Sequence, residues 1–124
     1  MKILYIEDNE TQGSILKRML EMMGGHEVNW VKDGQSALEI TRASDWTTDV
    51  IITDRRLPNM TGSEFIEACK CNPNLADVPI IMLSADLAGI AEEEALSAGA
   101  TAYFAKPVDF DKLDANLKKL VGHD

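Results

Sequence analysis

The chain has 124 residues, of which 45% are hydrophobic and 27% charged, with a formal net charge of −9 at pH 7. This size and composition predict one globular domain spanning residues 1–124. The acidic balance argues against direct DNA binding, which relies on clustered basic side chains. We expect neither a signal peptide nor a membrane partner, because the apolar runs are far shorter than the roughly 20 residues that span a bilayer. The expected location is cytoplasmic.

The first half of the chain alternates apolar runs with helical patterns. Residues 3–6 are almost continuously apolar, as in a strand covered on both faces. A partly apolar strand over residues 26–31 suits a sheet edge, and a short helix is predicted over residues 36–43. Between the strands over residues 3–6 and 26–31, apolar residues recur at helical spacing and predict a helix that ends at Gly24 and Gly25. These apolar residues are Ile15, Leu16, Met19, Leu20 and Met23.

The middle of the chain repeats this alternation. Residues 50–53 are rich in β-branched side chains and predict a third strand. A loop bracketed by Pro58 and Gly62 leads to a helix over residues 64–71. Cysteines occur only at positions 69 and 71 of this helix, where they point in different directions. We therefore expect reduced thiols, with Cys69 on the core face.

Two further units complete the pattern. Strands are predicted over residues 80–83 and 101–104, separated by an Ala- and Glu-rich helix over residues 89–98. The last helix begins at Asp109, a residue type that favours the N-cap position. Its apolar side chains recur at helical spacing toward the C-terminus.

Five successive β–α units predict an α/β fold of the flavodoxin-like class. It is a doubly wound (βα)5 fold, a parallel five-stranded sheet with helices on both faces and right-handed crossovers. The first, third and fourth strands are the most apolar and should be central, which the strand order 2-1-3-4-5 satisfies. In that order the chain reverses direction between the first and third strands. Ligands bind at such a switch point, beyond the carboxyl ends of the strands.

Polar side chains follow these strands at the predicted switch point. Glu7 and Asp8 end the first strand, Asp54 the third, Ser84 the fourth and Lys106 the fifth. Three crowded carboxylates repel each other unless a cation is bound, and an all-oxygen ligand set suits Mg²⁺. A carboxylate can also attack phosphorus to form an aspartyl phosphate, while an ammonium and a hydroxyl hold the other phosphoryl oxygens. Each side chain alone is explained by capping or solvation, but their joint occurrence favours a phosphoryl site.

The whole chain resembles the receiver domain of two-component response regulators, of the single-domain, CheY-like type. The segments that carry the resemblance are ILYIEDN, DVIITDRRLPNMTG, VPIIMLSA and GATAYFAKPVD. It implies a phosphoprotein of a phosphorelay that accepts its phosphoryl group from a sensor histidine kinase or a histidine phosphotransfer protein. An unidentified downstream protein would receive the signal, and the chain would be a monomer or weak dimer. Such a domain catalyses only its own phosphorylation and autodephosphorylation, so it is not a conventional enzyme.

The resemblance also assigns roles to individual residues. Asp54 would be the phosphoacceptor, with Ser84 and Lys106 contacting the phosphoryl oxygens. Mg²⁺ would be bound directly by Asp8 and Asp54, through water by Glu7, and by the backbone carbonyl of Arg56. Glu7 and Ser84 stand where Asp and Thr are more common in the family, and both retain the required oxygen chemistry.

Two further roles concern switching and phosphoryl lifetime. Tyr103 matches the aromatic switch position, which turns inward as Ser84 moves toward the phosphoryl group. Partner binding would then change on the face formed by the fourth helix, the fifth strand and the fifth helix. Arg56 and Asp86 lie two residues beyond Asp54 and Ser84, at positions that tune how fast water removes the phosphoryl group.

Three alternatives bear on the same residues. A pseudo-receiver that is never phosphorylated usually lacks an acidic residue or the lysine, and both are present here. A flavin-binding electron carrier needs a Gly- and Ser/Thr-rich loop after the first strand, where this chain has the acidic EDNETQG. A hydrolase that forms an aspartyl phosphate needs a second Asp at the position of Arg56.

Overall fold

The structure is a computed structural model that describes residues 1–42, 47–85 and 89–120. Strands and helices alternate along the described chain. The strands are β1 (Lys2–Ile6), β2 (Glu27–Val31), β3 (Val50–Asp54), β4 (Arg56–Leu57), β5 (Met60–Thr61), β6 (Ile80–Ser84) and β7 (Ala102–Ala105). The helices are α1 (Glu10–Met22), α2 (Gly34–Thr41), α3 (Gly62–Lys70), α4 (Gly89–Ala98) and α5 (Phe110–Leu120).

Five of the strands form one parallel sheet in the order β2-β1-β3-β6-β7. Numbered within this sheet alone, the order is 2-1-3-4-5, so the predicted fold class and topology are confirmed. The three central strands are almost completely buried, whereas β2 and β7 are partly exposed edges. The register pairs Ile6 with Thr53 and Ser84 with Ala105. The residues that follow these strands are thus brought to one edge.

Alternate side chains of the central strands face two separate cores. Ile3 and Tyr5 of β1 pack with α1 and α5, whereas Leu4 and Ile6 pack with α2, α3 and α4. This period-two division is that of a sheet covered on both faces. Cys69 of α3 is fully buried in the second core, and both cysteines are free thiols, as predicted.

Side-chain caps fix where the helices begin. Asn9 accepts a hydrogen bond from the Gln12 amide at 2.9 Å, so α1 starts directly after the acidic pair of β1. Thr61 and Glu64 form a capping box on α3. Asp109 accepts a hydrogen bond from the Lys112 amide at 3.2 Å, which confirms the predicted start of α5. None of the helices in the described ranges has both the length and the apolar character to cross a bilayer.

The segment between β3 and α3 is a small antiparallel hairpin of β4 and β5. The sequence predicted only a loop there, because each strand has two residues and no recognisable pattern. Asn59 turns the hairpin in the left-handed region, with φ of 67°. Gly62 follows it, and a Cβ at this position would lie 2.6 Å from the carbonyl oxygen of Asp54. Only glycine lets the hairpin return so close to the end of β3.

The predicted elements differ from the observed ones mainly in their boundaries. Helix α2 begins two residues earlier than expected, and Ala43 of its predicted end lies outside the described residues. The apolar stripe of α1 is narrower than expected. Leu16 and Leu20 are buried, but Ile15 is 56% exposed. Periodicity identified the helix correctly and overestimated the width of its buried face.

Leu20 and Ile15 provide a matched pair on one helix. Leu20→Ala removes a side chain that is 0% exposed, so we expect it to lower the free energy of unfolding by about 2–5 kcal/mol. Ile15→Ala removes a largely solvated side chain, and its effect should stay within about 0.5 kcal/mol. Urea unfolding followed by circular dichroism measures both. Equal losses for the two variants would contradict the placement of α1.

Candidate functional site

A cleft of about 460 Å³ opens at the carboxyl edge of the sheet, where the chain reverses direction between β1 and β3. Its lining residues are Glu7, Asp8, Asn9, Gln12, Asp54, Arg55, Arg56, Ser84, Ala85 and Lys106. This set includes six of the site residues expected from the sequence. The topology therefore gathers residues that are separated by up to 99 positions in the chain.

Glu7 and Asp8, which follow β1, differ in solvent exposure. The Glu7 side chain is only 1% exposed, whereas Asp8 is exposed. The amide of Glu7 donates to the Val31 carbonyl at 3.0 Å, so its backbone continues the pairing of β1 with β2. Its carboxylate oxygen Oε2 accepts from the Asn9 amide at 3.3 Å. One carboxylate is thus held inside the cleft and the other stands at its rim.

Asp54 is the last residue of β3, and its side chain is 14% exposed. Its Oδ1 accepts from the Arg55 amide at 2.8 Å, and its Oδ2 accepts from the Lys106 ammonium at 3.1 Å. Because each carboxylate oxygen has two acceptor sites, both keep a lone pair for a further ligand. The Arg55 amide and Lys106 therefore orient the Asp54 carboxylate and leave acceptor sites on it for a metal ion or a phosphoryl group.

One ligand oxygen from each of Glu7, Asp8 and Asp54 can be chosen so that all three lie within 4.8 Å of one another. Carboxylate oxygens this close together can share one hydrated divalent cation, some directly and others through its bound water. All three donors are hard carboxylate oxygens, the ligand type that Mg²⁺ prefers. The residues present therefore fit a divalent magnesium site.

The ammonium of Lys106 lies against this cluster of carboxylates. Its ammonium donates to Glu7 Oε1 at 2.8 Å, to Asp54 Oδ2 at 3.1 Å and to Gln12 Oε1 at 2.8 Å. An ammonium has three protons, so these three acceptors use its full donor capacity. A phosphoryl oxygen can receive a hydrogen bond from Lys106 only by replacing or sharing one of them.

Gln12 is a site residue that the sequence reasoning missed. It lies in the first turn of α1 and reaches Lys106, which is 94 positions away. The short connection between Asp8 and the start of α1 at Glu10 could have indicated it, because such a short connection places the first turn of the helix beside the cleft. Gln12 is neutral, so it contributes the most easily exchanged of the three contacts of the ammonium.

Burial and charge shift the pKa values of the central pair. Burial and the neighbouring Asp54 carboxylate raise the pKa of Glu7 above its ordinary 4.5, and together they outweigh the hydrogen bond from Lys106. Burial alone would lower the pKa of Lys106, but Glu7 and Asp54 outweigh it and raise the pKa. Burial is thus the main cause of the Glu7 shift, whereas the two neighbouring carboxylates cause the Lys106 shift.

The remaining predicted residues are Tyr103, Arg56, Asp86 and Ser84. Tyr103 is half-buried on the edge strand β7, packs against the core shared with α2, α3 and α4, and is not among the cleft residues. Arg56 lines the cleft as an exposed residue of β4. Asp86 lies outside the described residues. Ser84 is 2% exposed at the end of β6, and its carbonyl accepts from the Lys106 amide at 2.7 Å.

Comparison with known proteins covers almost the whole chain. A family model for the response regulator receiver domain matches residues 3–118. The chemotaxis protein CheY1 of Helicobacter pylori is 30% identical over 122 residues, which cover 98% of each chain. The receiver domain of a sensor histidine kinase from Pseudomonas aeruginosa, solved with a magnesium ion in its active site cleft, is 32% identical with a TM-score of 0.86. The match covers 98% of this chain and 97% of that one. A putative response regulator from Chloroflexus aurantiacus is 28% identical with a TM-score of 0.89, covering 98% of both chains.

The raised pKa of Glu7 predicts a specific pH dependence in metal-free buffer. In the window between 4.5 and the raised value, the folded state binds more protons than the unfolded state, so stability falls as pH rises. Glu7→Gln removes this dependence. We expect its Tm to exceed that of the wild type at pH 7 and the difference to shrink toward pH 4.

Thermal unfolding in EDTA across this pH range measures the effect. Glu92→Gln, at an exposed position of α4, is the matched control and should show no such pH-dependent difference. A difference between Glu7→Gln and the wild type that is constant with pH would contradict the raised pKa.

Proposed function

The chain belongs to the response regulator receiver domain family, and from this membership we propose that it accepts a phosphoryl group on Asp54 as part of a two-component phosphorelay. The observation that carries the proposal is the meeting of three carboxylates with Lys106 in one cleft. Asp54 is the carboxylate that contacts Lys106 directly and stays partly open to solvent. It is therefore the nucleophile in this proposal.

The proposed reaction transfers the phosphoryl group from a phosphohistidine. A carboxylate oxygen of Asp54 attacks phosphorus, the bond between phosphorus and the histidine nitrogen breaks, and the imidazole leaves. Lys106 and the Ser84 hydroxyl hold phosphoryl oxygens during the transfer. A bound Mg²⁺ supplies compensation for the charge that the incoming group brings to three carboxylates. Glu7, Asp8, Asp54 and the backbone carbonyl of Arg56 would hold it, with Glu7 acting through water.

The donor that we propose is a sensor histidine kinase or a histidine phosphotransfer protein. The added phosphoryl group carries about −1.5 to −2 charges and biases an arrangement that is already accessible to the protein. Ser84 and Tyr103 would form the switch, and the face of α4, β7 and α5 would bind an unidentified downstream protein. We further propose a cytoplasmic monomer or weak dimer that does not bind DNA directly and catalyses only its own phosphorylation and autodephosphorylation.

A pseudo-receiver that binds partners without phosphorylation is the competing function. It would keep the fold and the acidic cleft without chemistry at Asp54. The hydrogen bonds of Lys106 favour the active receiver, because a lysine that contacts Asp54 and Glu7 already occupies the place where a phosphoryl oxygen needs a cation. One experiment separates the two functions.

Incubation with a small phosphodonor such as acetyl phosphate and Mg²⁺ should add the mass of one phosphoryl group to the intact protein. The added group should be lost in hydroxylamine, as expected for an acyl phosphate. Asp54→Asn should abolish the gain, while Asp111→Asn, an exposed aspartate of α5, should retain it. No gain in the wild type would favour the pseudo-receiver, and equal gain in Asp54→Asn would place the phosphoryl group elsewhere.

Two further measurements test the proposed lifetime control by Arg56 and Asp86, through phosphoryl decay after the donor is removed, and the proposed switch role of Tyr103. Replacing Arg56 and Asp86 together by Ala should change the phosphoryl half-life, because family resemblance assigns both positions a role in tuning the removal of the phosphoryl group by water. Tyr103→Ala should accept the phosphoryl group at the wild-type rate and lose the phosphorylation-dependent change in the hydrogen exchange of α4. An unaltered decay rate would contradict the role of Arg56 and Asp86 in phosphoryl lifetime. An unaltered exchange pattern would contradict the switch role of Tyr103.

A further inference from the structure

Trp30 of the edge strand β2 forms a hydrogen bond that reaches the acidic end of β1. Its indole Nε1–H donates to the backbone carbonyl of Glu7 at 2.9 Å. The last paired residues of the two strands are Ile6 and Val31, so Glu7 lies one position beyond the ladder. The Glu7 amide donates to the Val31 carbonyl. Both backbone polar groups of Glu7 are therefore held by β2, one by its backbone and one by the indole.

This bond fixes the peptide plane between the two acidic residues. The carbonyl of Glu7 and the amide of Asp8 belong to one planar unit, so holding the oxygen sets the direction in which Asp8 leaves the strand. Within the described ranges, no side-chain hydrogen bond or ion pair is found for the Asp8 carboxylate. Its place beside Glu7 and Asp54 depends on its backbone, which makes the orientation of this peptide important.

The indole is itself seated by the backbone of α1. Gly13 faces it, and a Cβ at this position would lie 2.1 Å from the indole ring. A real Cβ cannot approach so closely, so any side chain there would displace the ring. An ion pair between Lys32, just after β2, and Glu10, in the first turn of α1, lies alongside. Trp30 thus joins β2, the acidic end of β1 and the start of α1.

We propose that Trp30 is a positioning residue for the divalent cation, acting through the Glu7–Asp8 peptide. This inference rests on the proposed function, because it needs a cation at Glu7, Asp8 and Asp54. Tryptophan suits the role because its indole provides one donor and no acceptor on a rigid ring. Phenylalanine would fill much of the same volume and leave the Glu7 carbonyl without its donor.

Backbone amide chemical shifts followed during an Mg²⁺ titration give the dissociation constant of each variant. Trp30→Phe should bind Mg²⁺ about three- to tenfold more weakly than the wild type, the change expected for the loss of one hydrogen bond. Gly13→Ala should show a loss of similar size, because its methyl group displaces the indole. Asn29→Ala, at an exposed neighbouring position on β2, is the matched control and should bind as the wild type does.

A second readout follows the hydrogen bond itself without metal. In EDTA, the Trp30 indole proton should exchange with solvent slowly in the wild type and faster in Gly13→Ala. Wild-type affinity in Trp30→Phe, with a wild type that binds Mg²⁺, would overturn the role of Trp30 and leave the proposed function intact. A wild type that binds no Mg²⁺ would contradict the proposed function, whatever the indole exchange shows.

Discussion

Three carboxylates lie close together at the carboxyl edge of the sheet, and the ammonium of Lys106 forms hydrogen bonds with two of them. The Lys106 ammonium donates its three hydrogen bonds to Glu7, Asp54 and Gln12. It therefore has no further donor with which to offset the negative charge of the carboxylates. Burial of Glu7, together with the neighbouring Asp54 carboxylate, raises the pKa of Glu7. A cluster of this kind is costly for folding alone, and a divalent cation removes the cost.

The fold determines how such a cluster is assembled from distant parts of the chain. Parallel strands with helical crossovers bring every carboxyl end to one edge, and the reversal between β1 and β3 leaves a cleft there. Short connections preserve the geometry, since Asn9 caps α1 immediately after Asp8. Gly62 lets the hairpin after β3 pass close to the Asp54 carbonyl. These local features keep the carboxylates near each other on a rigid scaffold.

The sequence predicted the topology and the cleft residues because both depend on where apolar runs end. Glu7, Asp54 and Lys106 each follow such a run, and the register of the sheet then fixes their proximity. Gln12 and Trp30 were not predicted, because their contacts depend on how α1 and β2 are rotated relative to the acidic loop. Periodicity gives no measure of that rotation. The expectation that Ile15 is buried was wrong for the same reason, because the apolar pattern identifies a helix but does not set the width of its buried face.

The central claim is that Glu7, Asp8 and Asp54 form a binding site for a divalent cation, and thermal unfolding tests it most directly. A ligand that binds only the folded state raises its stability with the logarithm of the free ligand concentration. We expect the Tm of the wild type to rise by several degrees in MgCl₂ relative to KCl at equal ionic strength, and we expect Asp8→Asn to remove this rise. Identical Tm values of the wild type in the two salts would contradict it.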